Sequence, residues 1–175
     1  MPALMPQWAQ RGISAIAFPR VHYTMLLTQQ SIYLPLPPAQ AFDIVCRLEN
    51  FSQWFPGIIR VTPEDNRPNF QIGKRYRETI KVPIKGEMDI ILTVVTSIPG
   101  QRFATQAELP ILAPKMEMLF EPQGQGTGLT WRMHSEQRHH WLGWLLANSA
   151  GKIIGRRANI GLQTLAAQYR QTLTE

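Results

Sequence analysis

The chain has 175 residues, of which 44% are hydrophobic and 17% charged, a composition that suits one domain with a substantial apolar core. The single cysteine, Cys46, excludes an internal disulfide and a cysteine-rich metal cluster, and its apolar neighbours predict a buried thiol. The formal net charge of +6 favours anionic partners, but the basic residues are scattered, so we expect no nucleic-acid partner.

The first 24 residues show no clear periodicity, and Arg11 and Pro19-Arg20 interrupt the apolar run that a signal peptide would need. We expect residues 1–24 to form a peripheral, poorly ordered extension of one domain covering residues 25–175. No stretch approaches the ~20 apolar residues of a membrane-spanning helix, so we expect a cytoplasmic protein. Peripheral contact with an anionic membrane stays open as an alternative, and the sequence does not fix the oligomeric state.

The domain begins with a predicted strand from Met25 to Leu36, followed by a helix at "AQAFDIVCRL", where apolar residues keep helical spacing. The segment "LENFSQWFPGI" comes next and brings Phe51, Trp54 and Phe55 within five positions before Pro56-Gly57. We predict a second short helix here, whose aromatic side chains pack against the neighbouring elements.

Apolar and polar residues alternate from residue 58 onward, which is typical of strands with one covered face. The predicted strands are "IIRVT", "KRYRETIKV", "EMDIILTVVTSI", "RFATQAEL", "KMEMLFE" and "LTWRMHSEQ". Short turn sequences separate these runs, so we predict an antiparallel meander of six strands.

The last segment, from Trp141 to about Leu173, has no proline and predicts a long helix. It contains four glycines, each of which costs up to about 1 kcal/mol relative to alanine in a helix interior. The glycines are Gly143, Gly151, Gly155 and Gly161. We expect them to allow close approach of this helix to the element beneath it, since glycine has no side chain to separate two backbones.

One face of the predicted sheet is apolar, and the C-terminal helix is the element large enough to cover it. We expect a ligand cavity between the two, because methionine, an adaptable side chain, recurs on this face. The predicted cavity residues are Tyr76, Glu78, Ile80, Met88, Ile90, Leu92, Phe103, Thr105, Met116, Met118, Phe120, Trp131 and Met133 of the sheet, with Leu145 of the helix. The alternative is an ordinary core containing several methionines.

Glu78 is an unusual member of this face, because a carboxylate in a dry environment has a raised pKa unless a cation or hydrogen bond compensates. Such a group suits a catalytic acid or a polar ligand anchor, and Tyr76 is a second candidate for proton transfer. We favour the alternative that Glu78 lies near a strand end and reaches solvent. The face offers no second carboxylate or histidine, so no catalytic residue is assigned, and we expect neither a cofactor nor a metal.

The loops at one end of the predicted sheet are apolar where polar turn residues would be usual. This predicted rim comprises Trp54, Ile84, Ile111, Leu112, His139, His140 and Trp141. It suits a ligand entrance or a surface that dips into a bilayer, while the alternative is that these side chains fold back into the core. Adjacent His139 and His140 would point about 100 degrees apart on a helix, which disfavours a metal site.

The segments "SIYLPLPPAQAFDIVCRLENFSQWFPGIIRV" and "IGLQTLAAQYRQTLTE" resemble the opening and closing segments of the SRPBCC (START-like) superfamily. The resemblance covers residues 25–173 and is closest to the polyketide cyclase/dehydrase and lipid-transport branch. It implies an α+β helix-grip fold, in which a curved antiparallel sheet of about seven strands, with two short helices, grips a long C-terminal helix around an apolar cavity.

The resemblance implies a function in binding or transport of a hydrophobic small molecule, of the lipid, quinone, polyketide or isoprenoid class. Two alternatives stay open, namely a cyclase or dehydratase acting on an aromatic or polyketide-like substrate, and a lipid exchange protein that docks on membranes. The resembling segments specify a fold more than an activity, and they carry no catalytic set onto numbered residues here.

Overall fold

The computed structural model describes residues 23–82, 86–110, 112–137 and 140–171. The elements in chain order are β1 (Tyr23–Leu34), α1 (Pro38–Val45), a 3₁₀ helix (Leu48–Gln53), β2 (Ile58–Pro63), β3 (Arg75–Val82), β4 (Gly86–Ile98), β5 (Arg102–Ala107), β6 (Pro114–Gln123), β7 (Gly126–Gln137) and α2 (His140–Gln171). Most of the predicted N-terminal extension, residues 1–22, lies outside the described residues, as do the predicted rim residues Ile84, Ile111 and His139.

The seven described strands form one antiparallel sheet in the order β1-β7-β6-β5-β4-β3-β2. Strands β2 to β7 are the predicted meander, and β1 returns to pair with the last strand, with Ile32 opposite Leu129. The pairing register shifts between Leu26 and Thr28 on β1, and similar shifts occur on β2 and β4. Such irregularities bend strands, so they curve the sheet. The α+β helix-grip prediction is confirmed.

The inner, concave face of the sheet is covered by three helices. The Phe42 ring of α1 lies 6.0 Å from the Phe103 ring and 5.4 Å from the Phe120 ring, so α1 covers the middle of the sheet. The 3₁₀ helix packs beside β2, and α2 packs chiefly along β1. The expectation that only α2 is large enough to cover this face is wrong. Two short helices that precede β2, namely α1 and the 3₁₀ helix, also lie over the sheet.

The glycines of α2 allow the close approach that the sequence predicts. A Cβ atom at Gly155 would lie 2.8 Å from the Thr28 hydroxyl oxygen of β1, and one at Gly161 would lie 2.9 Å from the Trp54 carbonyl oxygen. A Cβ at Gly151 would meet the backbone of β1 at 3.0 Å. At Gly151 and Gly161 the neighbouring atoms belong to the backbone, so a side chain there would push α2 away from β1 and from the turn before β2.

Cys46, the residue that follows α1, is fully buried with a free thiol, as predicted. Burial raises the pKa of this thiol well above its ordinary value, which keeps it in the unreactive protonated form. None of the described helices is long and apolar enough to cross a membrane.

Candidate functional site

A cavity of about 160 Å³ lies between the concave face of the sheet and α2. Its walls are mainly aliphatic and aromatic, and its volume resembles that of an apolar cavity of about 150 Å³ that holds one benzene molecule. The residues predicted for the cavity that do line it are Glu78, Ile80, Ile90, Leu92, Thr105, Met116, Trp131 and Met133. They come from β3, β4, β5, β6 and β7, so alternation along the meander brings five strands to one site.

The other predicted sheet residues lie on the same face without lining the cavity. Phe103, Met118 and Phe120 are buried in the core, where Phe42 covers the two phenylalanines. Met88 is half-buried and packs against that core. Alternation identifies the face of a strand, but it does not show which stretch of the face another element covers. The predicted helical residue Leu145 belongs to α2, with its side chain outside the described part.

Several cavity residues were missed by the sequence reasoning. Phe51 and Phe55 line it from the 3₁₀ helix and the turn that follows, although their segment predicted packing only. Ile154 and Arg157 line it from α2, three positions apart on one helical face. Leu27 lines it from the irregularity in β1, a position that simple alternation does not locate.

Glu78 lies in the middle of β3 with only 8% of its surface exposed, and it lines the cavity. Its cross-strand neighbours are Val61 and Ile90, and no described side chain forms an ion pair or hydrogen bond with its carboxyl group. Burial alone raises the pKa of Glu78 from 4.5 to about 7. The favoured alternative of a solvent-exposed Glu78 is wrong, because the neighbour Arg77 takes the outward position and binds Glu64 at 2.7 Å.

Trp131 contributes its ring to the wall. The residue is 1% exposed, and its indole Nε1 has no hydrogen-bond acceptor among the described residues. Its ring lies 5.5 Å from the Phe55 ring, which fixes the indole against the opposite wall. The nitrogen atom itself is fully buried, so the N–H group does not face the cavity, and a buried donor without an acceptor costs about 1–3 kcal/mol.

Tyr76, the second candidate for proton transfer, lies elsewhere. Its hydroxyl group is 3.4 Å from Asn69 Oδ1, and the Lys74 ammonium lies 5.1 Å from the centre of its ring. Burial raises the pKa of Tyr76 well above its ordinary value. The described residues that line the cavity do not include Tyr76, so the structure does not bring it together with Glu78.

Arg157 joins α2 to the end of β3 beside the cavity. Its Nη2 donates a hydrogen bond to the Lys81 carbonyl oxygen at 3.0 Å, and the Lys81 N–H donates to the Gly57 carbonyl oxygen at 2.7 Å. Gly57 has a φ angle of +89°, and a Cβ there would lie 2.6 Å from the Arg157 guanidinium carbon. The three residues form a latch between helix, turn and strand, which we call the Arg157 latch.

The described part of the predicted rim divides between the cavity wall and the core. Leu112 is half-buried, lines the cavity, and accepts a hydrogen bond from the Ser135 hydroxyl through its carbonyl oxygen at 2.5 Å. Trp54 is 5% exposed and packs between the rings of Phe51 and Phe55, so it belongs to the core under α2. His140 and Trp141 begin α2, with side chains outside the described part.

The described residues contain no group of three or more histidine, cysteine, aspartate or glutamate side chains that could hold a metal ion. The polar residues that line the cavity are Glu78, Thr105 and Arg157.

A curved antiparallel sheet that grips a long C-terminal helix defines the helix-grip architecture of the START-like (SRPBCC) superfamily. Residues 25–170 match the family described as polyketide cyclase/dehydrase and lipid transport, and the chain therefore belongs to that family. No curated protein sequence matches the chain significantly.

Solved structures share this fold at low sequence identity. The di-domain ARO/CYC StfQ from the steffimycin biosynthetic pathway has a TM-score of 0.68 and 12% identity, over 89% of this chain and 54% of that one. A START superfamily protein from Mycobacterium smegmatis has a TM-score of 0.63 and 15% identity, over 83% of this chain and 97% of that one. A protein from Thermus thermophilus has a TM-score of 0.64 and 15% identity, with the same coverage. These likenesses show the fold alone, and the present chain spans about half the length of the di-domain protein.

Proposed function

We propose that this protein binds a hydrophobic small molecule, of the lipid, quinone, polyketide or isoprenoid class, in the cavity between the sheet and α2. The observation that carries the proposal is a cavity of about 160 Å³ with mainly apolar walls beside a packed core. Interiors of proteins are normally close-packed, so apolar walls around empty space lose dispersion contacts that a ligand would restore.

The volume limits what the cavity encloses completely. A single six-membered ring fits a cavity of this volume, whereas a sterol or a long acyl chain would extend past Leu112 and the Arg157 latch. We therefore expect a larger ligand to insert one ring or chain end and to leave its remainder between α2 and the loops.

Native mass spectrometry of the purified protein, with organic extraction of any retained molecule, tests this proposal. We expect an apolar compound in the extract, or a higher melting temperature when toluene is added to ligand-free protein, because a ligand that binds only the folded state stabilises it. A ligand-free protein whose melting temperature does not respond to toluene would overturn the proposal.

A cyclase or dehydratase activity is the second candidate, and the position of Glu78 supports it. A carboxyl group with a pKa of about 7 exchanges a proton readily near neutral pH, and Glu78 faces the cavity. The expected result is that Glu78→Gln lowers turnover of an aromatic polyketide-like substrate about 10²–10⁴-fold while binding persists. Tyr76→Phe is the control and should leave turnover unchanged, since Tyr76 does not reach the described wall. Equal turnover by Glu78→Gln and the parent protein would remove this candidate.

A further inference from the structure

The apolar cavity contains a carboxyl group with no hydrogen-bond or ion-pair partner among the described residues. Glu78 is 8% exposed and lines the cavity from β3, near one edge of the sheet. Buried polar groups in folded proteins almost always have hydrogen-bond partners. A carboxyl group left without one in a ligand-sized space therefore indicates the chemistry of the molecule that fills it.

We propose that Glu78 is the polar anchor of the cavity and that it selects an uncharged ligand with a hydroxyl or carbonyl group on its enclosed ring. The proposal rests on the proposed binding function, and it adds the class of ligand and the residue that recognises it.

The charges around Glu78 favour an uncharged ligand. Val61 of β2 and Ile90 of β4 face it across the sheet, Tyr76 of β3 engages Asn69, and Arg157 of α2 is engaged by the Lys81 carbonyl. A ligand carboxylate would be repelled by the ionised form of Glu78, and the Arg157 guanidinium, the cation among these neighbours, is directed at the Lys81 carbonyl oxygen. A ligand ammonium would have to leave water for walls that are otherwise mostly apolar, and the attraction of one carboxylate does not reliably offset that desolvation.

A hydroxyl group suits Glu78 in both of its protonation states. It accepts a hydrogen bond from the protonated carboxyl group and donates one to the ionised form. A carbonyl group can only accept, so it pairs with the protonated form alone. Because burial raises the pKa of Glu78 to about 7, the two kinds of ligand should respond differently to pH across neutrality.

The first experiment compares two probes of similar size, toluene and p-cresol, by calorimetric titration of the parent protein, Glu78→Gln and Glu78→Leu. In the parent protein we expect p-cresol to bind about tenfold more tightly than toluene, from one hydrogen bond to the buried group. Glu78→Gln should keep this preference, since an amide both donates and accepts. In Glu78→Leu the preference should disappear, because the hydroxyl group then loses water without gaining a partner.

The possible outcomes distinguish the role of Glu78 as anchor from the binding of ligands by the cavity. If toluene binds and p-cresol binds no better in the parent protein, the anchor is overturned while the binding function stands. If neither probe binds, both are overturned. Tighter binding of benzylamine than of p-cresol would overturn the preference for uncharged ligands.

A pH series keeps the anchor testable even if Glu78→Leu fails to fold. Between pH 5.5 and 8.5, the affinity of the parent protein for p-tolualdehyde should fall about tenfold or more as Glu78 loses its proton, while its affinity for p-cresol changes less. In Glu78→Gln both affinities should be flat over this range. An affinity for p-tolualdehyde that is independent of pH in the parent protein would overturn the anchor.

Discussion

At the scale of single residues, two residues of the cavity wall occupy positions that few other residue types would tolerate or prefer. Glu78 is an acid among apolar neighbours, and Gly57 holds a backbone angle that other residues rarely adopt. Both residues line the cavity. Each has a measurable consequence for stability that does not require the ligand to be known.

The first prediction concerns the pH dependence of stability at Glu78. Its pKa is raised in the folded state, to about 7 from 4.5, so folding favours the protonated form, and stability is lost as the pH rises through this window. A shift of this size corresponds to a loss on the order of 3 kcal/mol between pH 4 and pH 8, at about 1.4 kcal/mol per pH unit. Glu78→Gln should remove that loss, which urea unfolding at several pH values would measure.

Glu121→Gln is the matched control for this measurement, since Glu121 is exposed at the end of β6. It should keep the pH dependence of the parent protein. If Glu78→Gln and the parent protein lose the same free energy of unfolding from pH 4 to pH 8, the burial argument for Glu78 fails.

The second prediction concerns the Arg157 latch. Gly57→Ala should cost about 1–2 kcal/mol for the positive φ angle, and about 1 kcal/mol more because its Cβ displaces the Arg157 guanidinium from the Lys81 carbonyl. Gly73→Ala is the control, because Gly73 has a φ angle of +87° but nothing within 4 Å of an added Cβ. Urea unfolding of both variants would measure the difference, and the excess cost at Gly57 should vanish in an Arg157→Ala background. If Gly57→Ala still destabilises more than Gly73→Ala in the Arg157→Ala background, the extra loss of stability comes from the backbone and not from Arg157.

At the scale of elements, the long helix packs closely on its neighbours because its glycines carry no side chains. Gly155 and Gly161 contact different kinds of atom, so the effect of a side-chain contact on stability can be compared with that of a backbone contact. The nearest atom to an added Cβ is a side-chain hydroxyl at Gly155, and a backbone carbonyl at Gly161. A side chain can rotate away, whereas the backbone of the turn before β2 cannot move without disturbing the packed rings of Trp54 and Phe55.

The third prediction follows from that difference. Gly161→Ala should destabilise the protein by about 1–3 kcal/mol, because overpacking outweighs the gain in helix propensity of about 1 kcal/mol. Gly155→Ala should be closer to neutral, and Gln163→Ala, at an exposed position of α2, should change stability by only a few tenths. Urea unfolding would rank the three. A Gly161→Ala variant as stable as the Gly155→Ala variant would contradict the close packing of α2 on the turn.

The elements themselves could be predicted from the sequence because each has a strong local signal. Alternation identifies β3 to β7, and the proline-free run after Trp141 identifies α2. The inward side of Glu78 follows from the same alternation, since it shares parity with Ile80. The burial of Glu78 could not be read from the sequence. It depends on strands β2 and β4, which flank β3, and on the helices that cover the concave face of the sheet.

The extent of the cavity is the other property that local patterns do not give. Phe103 and Ile90 have the same inward orientation, yet Phe42 of α1 covers the first while the second borders empty space. Which of the two residues a ligand can reach depends on the position of α1, which is distant from both in the sequence. Leu27 shows a second limit, because a single irregularity in β1 breaks the period on which the strand assignment depends.

At the scale of the whole molecule, the cavity is a volume that folding leaves unfilled. The residues that line the cavity make fewer dispersion contacts than residues in a packed core, so the cavity lowers the stability of the protein. Filling the space from within should reverse both effects together. Ala107 and Ala104 of β5 provide the comparison, because Ala107 lines the cavity and Ala104 is fully buried on the opposite face.

The fourth prediction is that Ala107→Leu raises the free energy of unfolding by about 1 kcal/mol and weakens the binding of toluene at least about tenfold, since the added carbon atoms occupy the ligand's place. Ala104→Leu should instead destabilise by about 1–3 kcal/mol, because Glu117, its buried cross-strand neighbour, covers that side of the strand. Urea unfolding and calorimetric titration, made on both variants under conditions where each is folded, would measure the two effects. A stabilised Ala107→Leu variant that still binds toluene as tightly as the parent protein would place the binding site outside this cavity. A destabilised one would mean that the space between the sheet and α2 cannot accept the branched end of a leucine, and hence that it is too small for a ring.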